Sequence, residues 1–279
     1  MNINWFPGHM KKTVEEIEKK SKLTDFYIEI VDARIPISSR NPLIGEILKD
    51  KKSLIILNKS DLSDPVQNEK WIKKLSSQNS NVILYDSTKP NVKKIEKASF
   101  DLLKDMVDKY EDKGIKLNTL RAMIVGIPNS GKSTFINGLI GKKVAKVGNK
   151  PGITKTNQWI KINNKLHLLD TPGILWHKFE KEETALSLAY TGAIRDEILD
   201  VESLALKFIE KLIEIDPKIL EDRYKIETDS KKPLEILEEI ALKRGAILKN
   251  NIIDYSKVAN IIFDDFRKGK LGRITLETL

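Results

Sequence analysis

Residues 126–133 read Gly126-Ile127-Pro128-Asn129-Ser130-Gly131-Lys132-Ser133, the Gly-x-x-x-x-Gly-Lys-Ser pattern of a phosphate-binding P-loop. It constrains the fold more than any other feature, because such a loop works only between a buried strand and an outgoing helix. The flanks meet that demand: an apolar run at 122–125 enters the loop, and 134–139 leaves it with helical character. The glycines let backbone N–H groups wrap a phosphate, and the positive end of the following helix faces it. Lys132 is expected to reach the outer phosphates and the Ser133 hydroxyl to bind Mg²⁺. Ser130, Gly131 and Thr134 belong to the same cradle.

Around the loop the pattern is that of βα units in a parallel sheet. Strands are expected at 26–31, 53–57, 82–85, 122–125, 159–162 and 166–169, with helices at 65–76 and 92–110 and a polar connector at 111–118. After Gly173 the strand signals stop. Amphipathic helices are expected at 183–199, 201–215, 233–244 and 255–268, with Pro217 and Pro233 in first turns and Gly245 as a stop. The expected organisation is therefore an α/β P-loop domain over residues 1–180 and a small all-helical domain over 181–279.

A second group of residues turns the P-loop into a nucleotide site of defined chemistry. Asp170-Thr171-Pro172-Gly173 follows an apolar run, 37 residues after Ser133. There the carboxylate can hold Mg²⁺ and the Gly173 N–H can meet a γ-phosphate. Between them, Thr154 offers a hydroxyl for Mg²⁺ when that phosphate is present. Asn58-Lys59-Ser60-Asp61 ends another apolar run. The Asp61 carboxylate can accept both the N1–H and the exocyclic amine of guanine, which adenine cannot supply. Ser87, beside Asp86 after the next apolar run, sits where its N–H could touch the guanine oxygen. GTP is thus the expected substrate.

The order of these motifs is unusual, because the base-reading element precedes the P-loop. Either the match at residue 58 is accidental, leaving an ATP-using enzyme, or one sheet is wired from a different start point. The second is inexpensive, since packing depends on strand neighbours and domain termini often lie close together.

Composition narrows the partners. No apolar run approaches the roughly 20 residues that span a bilayer, and the opening residues lack the pattern of a secretion signal. The chain has no cysteine, so neither disulfides nor thiolate metal sites are available; a cytoplasmic location is expected. The formal net charge is +9, and it is uneven. Residues 1–183 carry 33 Lys+Arg against 22 Asp+Glu, and residues 184–279 carry 16 against 18. A polyanionic partner would meet mainly the first part. Lys11, Lys12, Lys19, Lys20 and Lys22 form either a contact patch or a solvated helix face.

The opening Trp5-Phe6-Pro7-Gly8-His9-Met10, the segment Val31-Asp32-Ala33-Arg34-Ile35-Pro36, Thr191-Gly192-Ala193-Ile194 and the motif order together resemble the YlqF/RbgA-type ribosome-assembly GTPases. The resemblance runs the length of the chain. It implies a circularly permuted G domain, a helical C-terminal domain, and work in late assembly of the large ribosomal subunit. Separately, a monomer is expected, with no DNA or membrane partner. A regulatory switch acting on a non-ribosomal protein is the alternative.

Ile174 follows the Asp-x-x-Gly glycine, where many GTPases carry a water-orienting glutamine. A hydrocarbon cannot orient water, so either another group does or hydrolysis by the chain alone is slow until the ribosomal subunit stimulates it. His167 alternates with apolar neighbours in an expected strand and reads as structural. His177 lies near the switch and stays open. His9, on the expected Pro7-Gly8 turn, reads by itself as a packing residue; the resemblance implies that it is catalytic. The resemblance also implies that Asn129 helps bind K⁺, which then takes the charge role of an arginine finger. The C-terminal helices could either touch RNA or act as a lever coupled to Asp170.

Overall fold

Six strands form one sheet in the computed structural model, which describes residues 8–117, 119–141, 159–171, 173, 175, 179, 181–194, 196 and 199–279, the first six by backbone alone. They are β1 (Phe26–Asp32), β2 (Ser53–Asn58), β3 (Ser80–Leu84), β4 (Leu120–Gly126), β5 (Trp159–Lys161) and β6 (Leu166–Asp170), in the spatial order β3-β2-β1-β4-β6-β5. Neighbours are parallel except for the short edge pair β5–β6. The chain divides into two compact units, residues 1–180 with Leu279, and Lys181–Thr278.

In the first unit the helices are α1 (Gly8–Ser21), α2 (Pro42–Ile47), α3 (Pro65–Leu75), α4 (Val92–Leu102), α5 (Lys104–Glu111) and α6 (Lys132–Ile140). They cover both faces of the sheet, which is why the central strands are near-continuous apolar runs rather than alternating ones. Phe26, Ile28, Ile30, Ala122 and Ile124 pack with Ile95 of α4 and with Phe135, Ile136 and Leu139 of α6. On the opposite face Tyr27, Met123 and Val125 meet Ile17 of α1 and Ile44 of α2, while Val31, Ile55 and Leu57 meet Trp71 of α3. Glu29, a charge within β1, is only 4% exposed and is paired by Arg40 at 2.8 Å.

Two expected helices differ from the structure. The helix expected over 92–110 breaks at Leu103 (φ −101°, ψ 18°). Ser99 donates its hydroxyl back to the Ile95 carbonyl at 2.7 Å, a bond that bends helices. The bend lets Leu102 and Leu103 both enter the core. The helix expected over 183–199 ends at Tyr190. Gly192 follows with φ +75°, and a side chain there would press on the Arg267 guanidinium, 3.2 Å away. Helices α1 and α2 were not among those expected from periodicity.

The second unit is helical among its described residues: α7 (Glu182–Tyr190), α8 (Val201–Ile215), α9 (Lys218–Tyr224), α10 (Pro233–Arg244) and α11 (Tyr255–Arg267). Its centre is aromatic. The Phe208 ring lies 4.5 Å from Tyr190, 5.7 Å from Phe263 and 5.0 Å from Phe266. Arg267 closes α7 by donating to the Ala189 and Tyr190 carbonyls, both at 2.9 Å, while Asp196 neutralises it at 2.6 Å. Gly245 stops α10 in the left-handed region, as expected.

Candidate nucleotide site

The strand order explains how residues 58 and 126 come to serve one site. Strand β1 lies between β2 and β4, with Asp32 opposite Asn58 and Ile30 opposite Gly126. The base-reading loop after β2 and the P-loop after β4 therefore leave the same C-terminal edge of the sheet. Strand β6, on the other side of β4, brings Asp170 to that edge. Ligands of open α/β sheets bind outside such an edge.

The P-loop backbone is shaped by close approach. A methyl on Gly126 would lie 2.8 Å from the Ile30 carbonyl oxygen. Asn129 (φ +59°) and Gly131 (φ +95°) both take left-handed conformations, which turn successive N–H groups inward. Ser130 closes the loop through its hydroxyl to the Ile127 carbonyl, 2.9 Å. Lys132 begins α6, and its ammonium meets Asp170 Oδ1 at 2.5 Å, both side chains largely buried. Ser133 and Thr134 follow in the first turn, partly exposed. The Thr171 hydroxyl donates to the Ile124 carbonyl at 2.7 Å. Gly173 backs onto the loop, where a methyl would sit 3.3 Å from the Pro128 nitrogen.

Asn58, 1% exposed, joins three segments with one amide. Its Nδ2 donates to the Ser130 carbonyl at 2.8 Å, and its Oδ1 accepts from the Ser87 hydroxyl at 2.6 Å and the Ser87 N–H at 3.3 Å. The Ser87 N–H, expected to face a guanine oxygen, is thus engaged by Asn58, and Ser87 instead holds the loop in place. Asp86 accepts from the N–H and hydroxyl of Thr88, at 2.8 and 2.6 Å. Lys59 donates to the Asn129 carbonyl at 2.6 Å and to Asp32 Oδ2 at 2.8 Å. Asp61 is exposed at the loop's end, where a base can reach it.

Asp32 was not singled out from the sequence as a site residue. It is gripped by Arg34, whose Nε and Nη2 donate to its two oxygens at 2.9 and 2.8 Å. Burial pushes its carboxyl up, but Arg34 and Lys59 outweigh that and hold it well below the usual carboxylate range. Its contribution to stability is therefore present above its unfolded value of about 4 and is lost only as the pH falls toward the folded one. The advance signal was an aspartate and an arginine directly after an apolar strand, inside one of the segments that carry the family resemblance.

His9 lies in the first turn of α1, which starts at Gly8, rather than on the turn expected from Pro7-Gly8. His167 is half-buried in β6, opposite Arg121 and Lys161. Thr154 and His177 fall outside the described residues.

A parallel sheet with a P-loop after β4, a base-reading loop after β2 and a carboxylate after β6 defines a P-loop GTPase with circularly permuted motif order. Comparison with known proteins supports that class and narrows it. A family model described as 50S ribosome-binding GTPase matches residues 121–239. Ribosome biogenesis GTPase A of Bacillus cereus is 44% identical over all of this chain and 94% of its own length. The Bacillus pumilus protein of that name is 42% identical over 99% of both chains. Among solved structures, GNP-bound YlqF from T. maritima is similar with a TM-score of 0.64 at 26% identity, covering 96% of this chain and 98% of that one. The chain belongs to the ribosome biogenesis GTPase A family, and its reaction is hydrolysis of GTP.

Proposed function

We propose that this GTPase works in late assembly of the large ribosomal subunit, engaging rRNA and ribosomal proteins with GTP bound and leaving after hydrolysis. The observation that carries the reading is the full-length similarity to proteins named ribosome biogenesis GTPase A. The 50S wording of the family description and the excess of basic residues in the first 183 agree with it. Residues 1–180 are the GTPase domain and residues 181–279 the helical domain of a cytoplasmic monomer. No helix among the described residues is long and apolar enough to cross a membrane.

In this reading Asp61 accepts from the guanine edge, and Asn58, Lys59, Ser60, Asp86 and Ser87 shape the pocket around it. Backbone N–H groups of residues 129–134 and the Lys132 ammonium hold the phosphates, with Lys132 exchanging its Asp170 partner for phosphate oxygens. The hydroxyl of Ser133 and the carboxylate of Asp170 are hard oxygen donors on adjoining elements, which suits Mg²⁺. Thr154 would join them, and Gly173 would offer its N–H to the γ-phosphate. Mg²⁺ held there would neutralise charge on the phosphates. Asn129 supplies a neutral oxygen of the kind K⁺ takes, and His9 orients the attacking water.

Steady-state GTP hydrolysis in K⁺ buffer, with and without purified large subunits, tests the proposal. Strong stimulation is expected, reduced in Na⁺ and in His9→Ala. Intact GTP binding with no stimulation by mature or immature subunits would discard the ribosome and favour a switch acting on another protein.

A further inference from the structure

We propose that Asp32 is a positioning residue for nucleotide binding: through Lys59 it locks the P-loop to the base-reading loop, so that nucleotide residence depends on this buried carboxylate. The inference rests on the GTPase reading of the site.

The argument begins with topology. Strand β1 is the sheet neighbour of both β2 and β4, so a side chain at its C-terminal end is placed between the two loops that must hold one nucleotide. Asp32 is that residue. Its main chain is fixed on both sides: the Asp32 N–H donates to Ser39 Oγ at 3.0 Å, and the Ala33 N–H donates to the Asn58 carbonyl at 2.8 Å. Its carboxylate is fixed as well. The Arg34 guanidinium forks across both oxygens, and the Arg34 N–H adds a third bond to Oδ1 at 3.1 Å. A bidentate fork of this kind sets orientation as well as charge.

Lys59 is the other half of the lock. A lysine ammonium is a point charge on a flexible stem, and this one is 22% exposed, so its rotamer needs a fixed partner. Asp32 Oδ2 provides one, and the same ammonium then reaches the Asn129 carbonyl across the gap between the loops. Charge makes the arrangement one-directional. Without the carboxylate, the Arg34 and Lys59 cations would repel each other, driving Lys59 away from Asn129. The lock holds the Asn129 main chain, in the frame shared by base and β-phosphate. Its loss should therefore weaken GDP and GTP alike.

The test measures dissociation of fluorescent GDP and GTP analogues, with KM and kcat for GTP, in Asp32→Asn, Arg34→Lys, Lys59→Met and their pairs. Asp32→Asn and Lys59→Met should each release both nucleotides about 10-fold faster, with equal factors for GDP and GTP. KM should rise in step while kcat at saturation stays within about two-fold. In the Lys59→Met background, Asp32→Asn should add less than about two-fold, because both changes remove one interaction. Arg34→Lys keeps the carboxylate but loosens its orientation. It should show a smaller effect of the same kind, and it carries the test if Asp32→Asn fails to fold. Effects that multiply in the double variants, or release rates unchanged in folded single variants, would overturn the proposal. Failure of the unaltered chain to bind either nucleotide would instead overturn the GTPase reading beneath it.

Discussion

Gly131 shows how little freedom the site allows at the level of one residue. Its φ of +95° is unfavourable for any side chain, and a methyl there would sit on the Asn58 side-chain nitrogen. Gly131→Ala combines that strain with the loss of the Asn58 to Ser130 bond. Together these should cost about 3 kcal/mol of binding, roughly 100-fold in GDP affinity by fluorescence titration. Asp61→Asn changes the chemistry rather than the shape. One acceptor facing the guanine N1–H and amine becomes a donor, so GTP affinity should fall roughly 100-fold. Xanthosine triphosphate, which carries an oxygen in place of that amine, should gain on GTP in direct competition. Of these residues, the P-loop glycines and Asp61 were picked out by spacing alone. Asp32 and the engagement of Ser87 by Asn58 were not, because both depend on partners 27 or more positions away.

At the level of elements, the strands were the most legible part. All six expected strands occur with ends displaced by no more than two residues, and the central ones are apolar because both their faces are covered. Helix ends were less legible, because local turns and distant caps decide them. The break at Leu103 answers to a serine bond and to core access; the end of α7 answers to Arg267, 77 residues away from Tyr190. Within the helical unit, α8 contributes an aromatic anchor at the centre. Phe208 is fully buried against three aromatic rings, so Phe208→Ala should destabilise this unit by about 3–5 kcal/mol. Chemical denaturation followed by tryptophan-independent far-UV circular dichroism would measure it.

For the whole molecule, the two units predict separable behaviour. The nucleotide residues described here all belong to residues 1–180, whereas Phe208 belongs to the other unit. GDP at 100 times its dissociation constant should stabilise the first unit by about 2.7 kcal/mol, and Phe208→Ala should act on the second. Differential scanning calorimetry should show GDP shifting one transition and Phe208→Ala the other. A single transition moved equally by both would mean that the units unfold as one. Permutation is also a property of this scale. Chain order differs from that of an ordinary G domain, yet the loops meet because strand neighbours, rather than strand sequence, determine the sheet edge.

By itself the sequence determined the α/β class, the P-loop and the motif order, and it pointed to the loop proposed to read guanine. Each of these is written in short stretches whose chemistry is local: glycines that permit a turn, apolar runs that require burial, a carboxylate after a strand. Only the tertiary structure decided which of these stretches touch. It placed β1 between the two nucleotide loops, joined Lys59 to Asp32, and aimed Lys59 across to Asn129. The physical reason is range. Backbone propensity and periodicity act over a few residues, whereas the partner of a buried charge is set by which strands become neighbours.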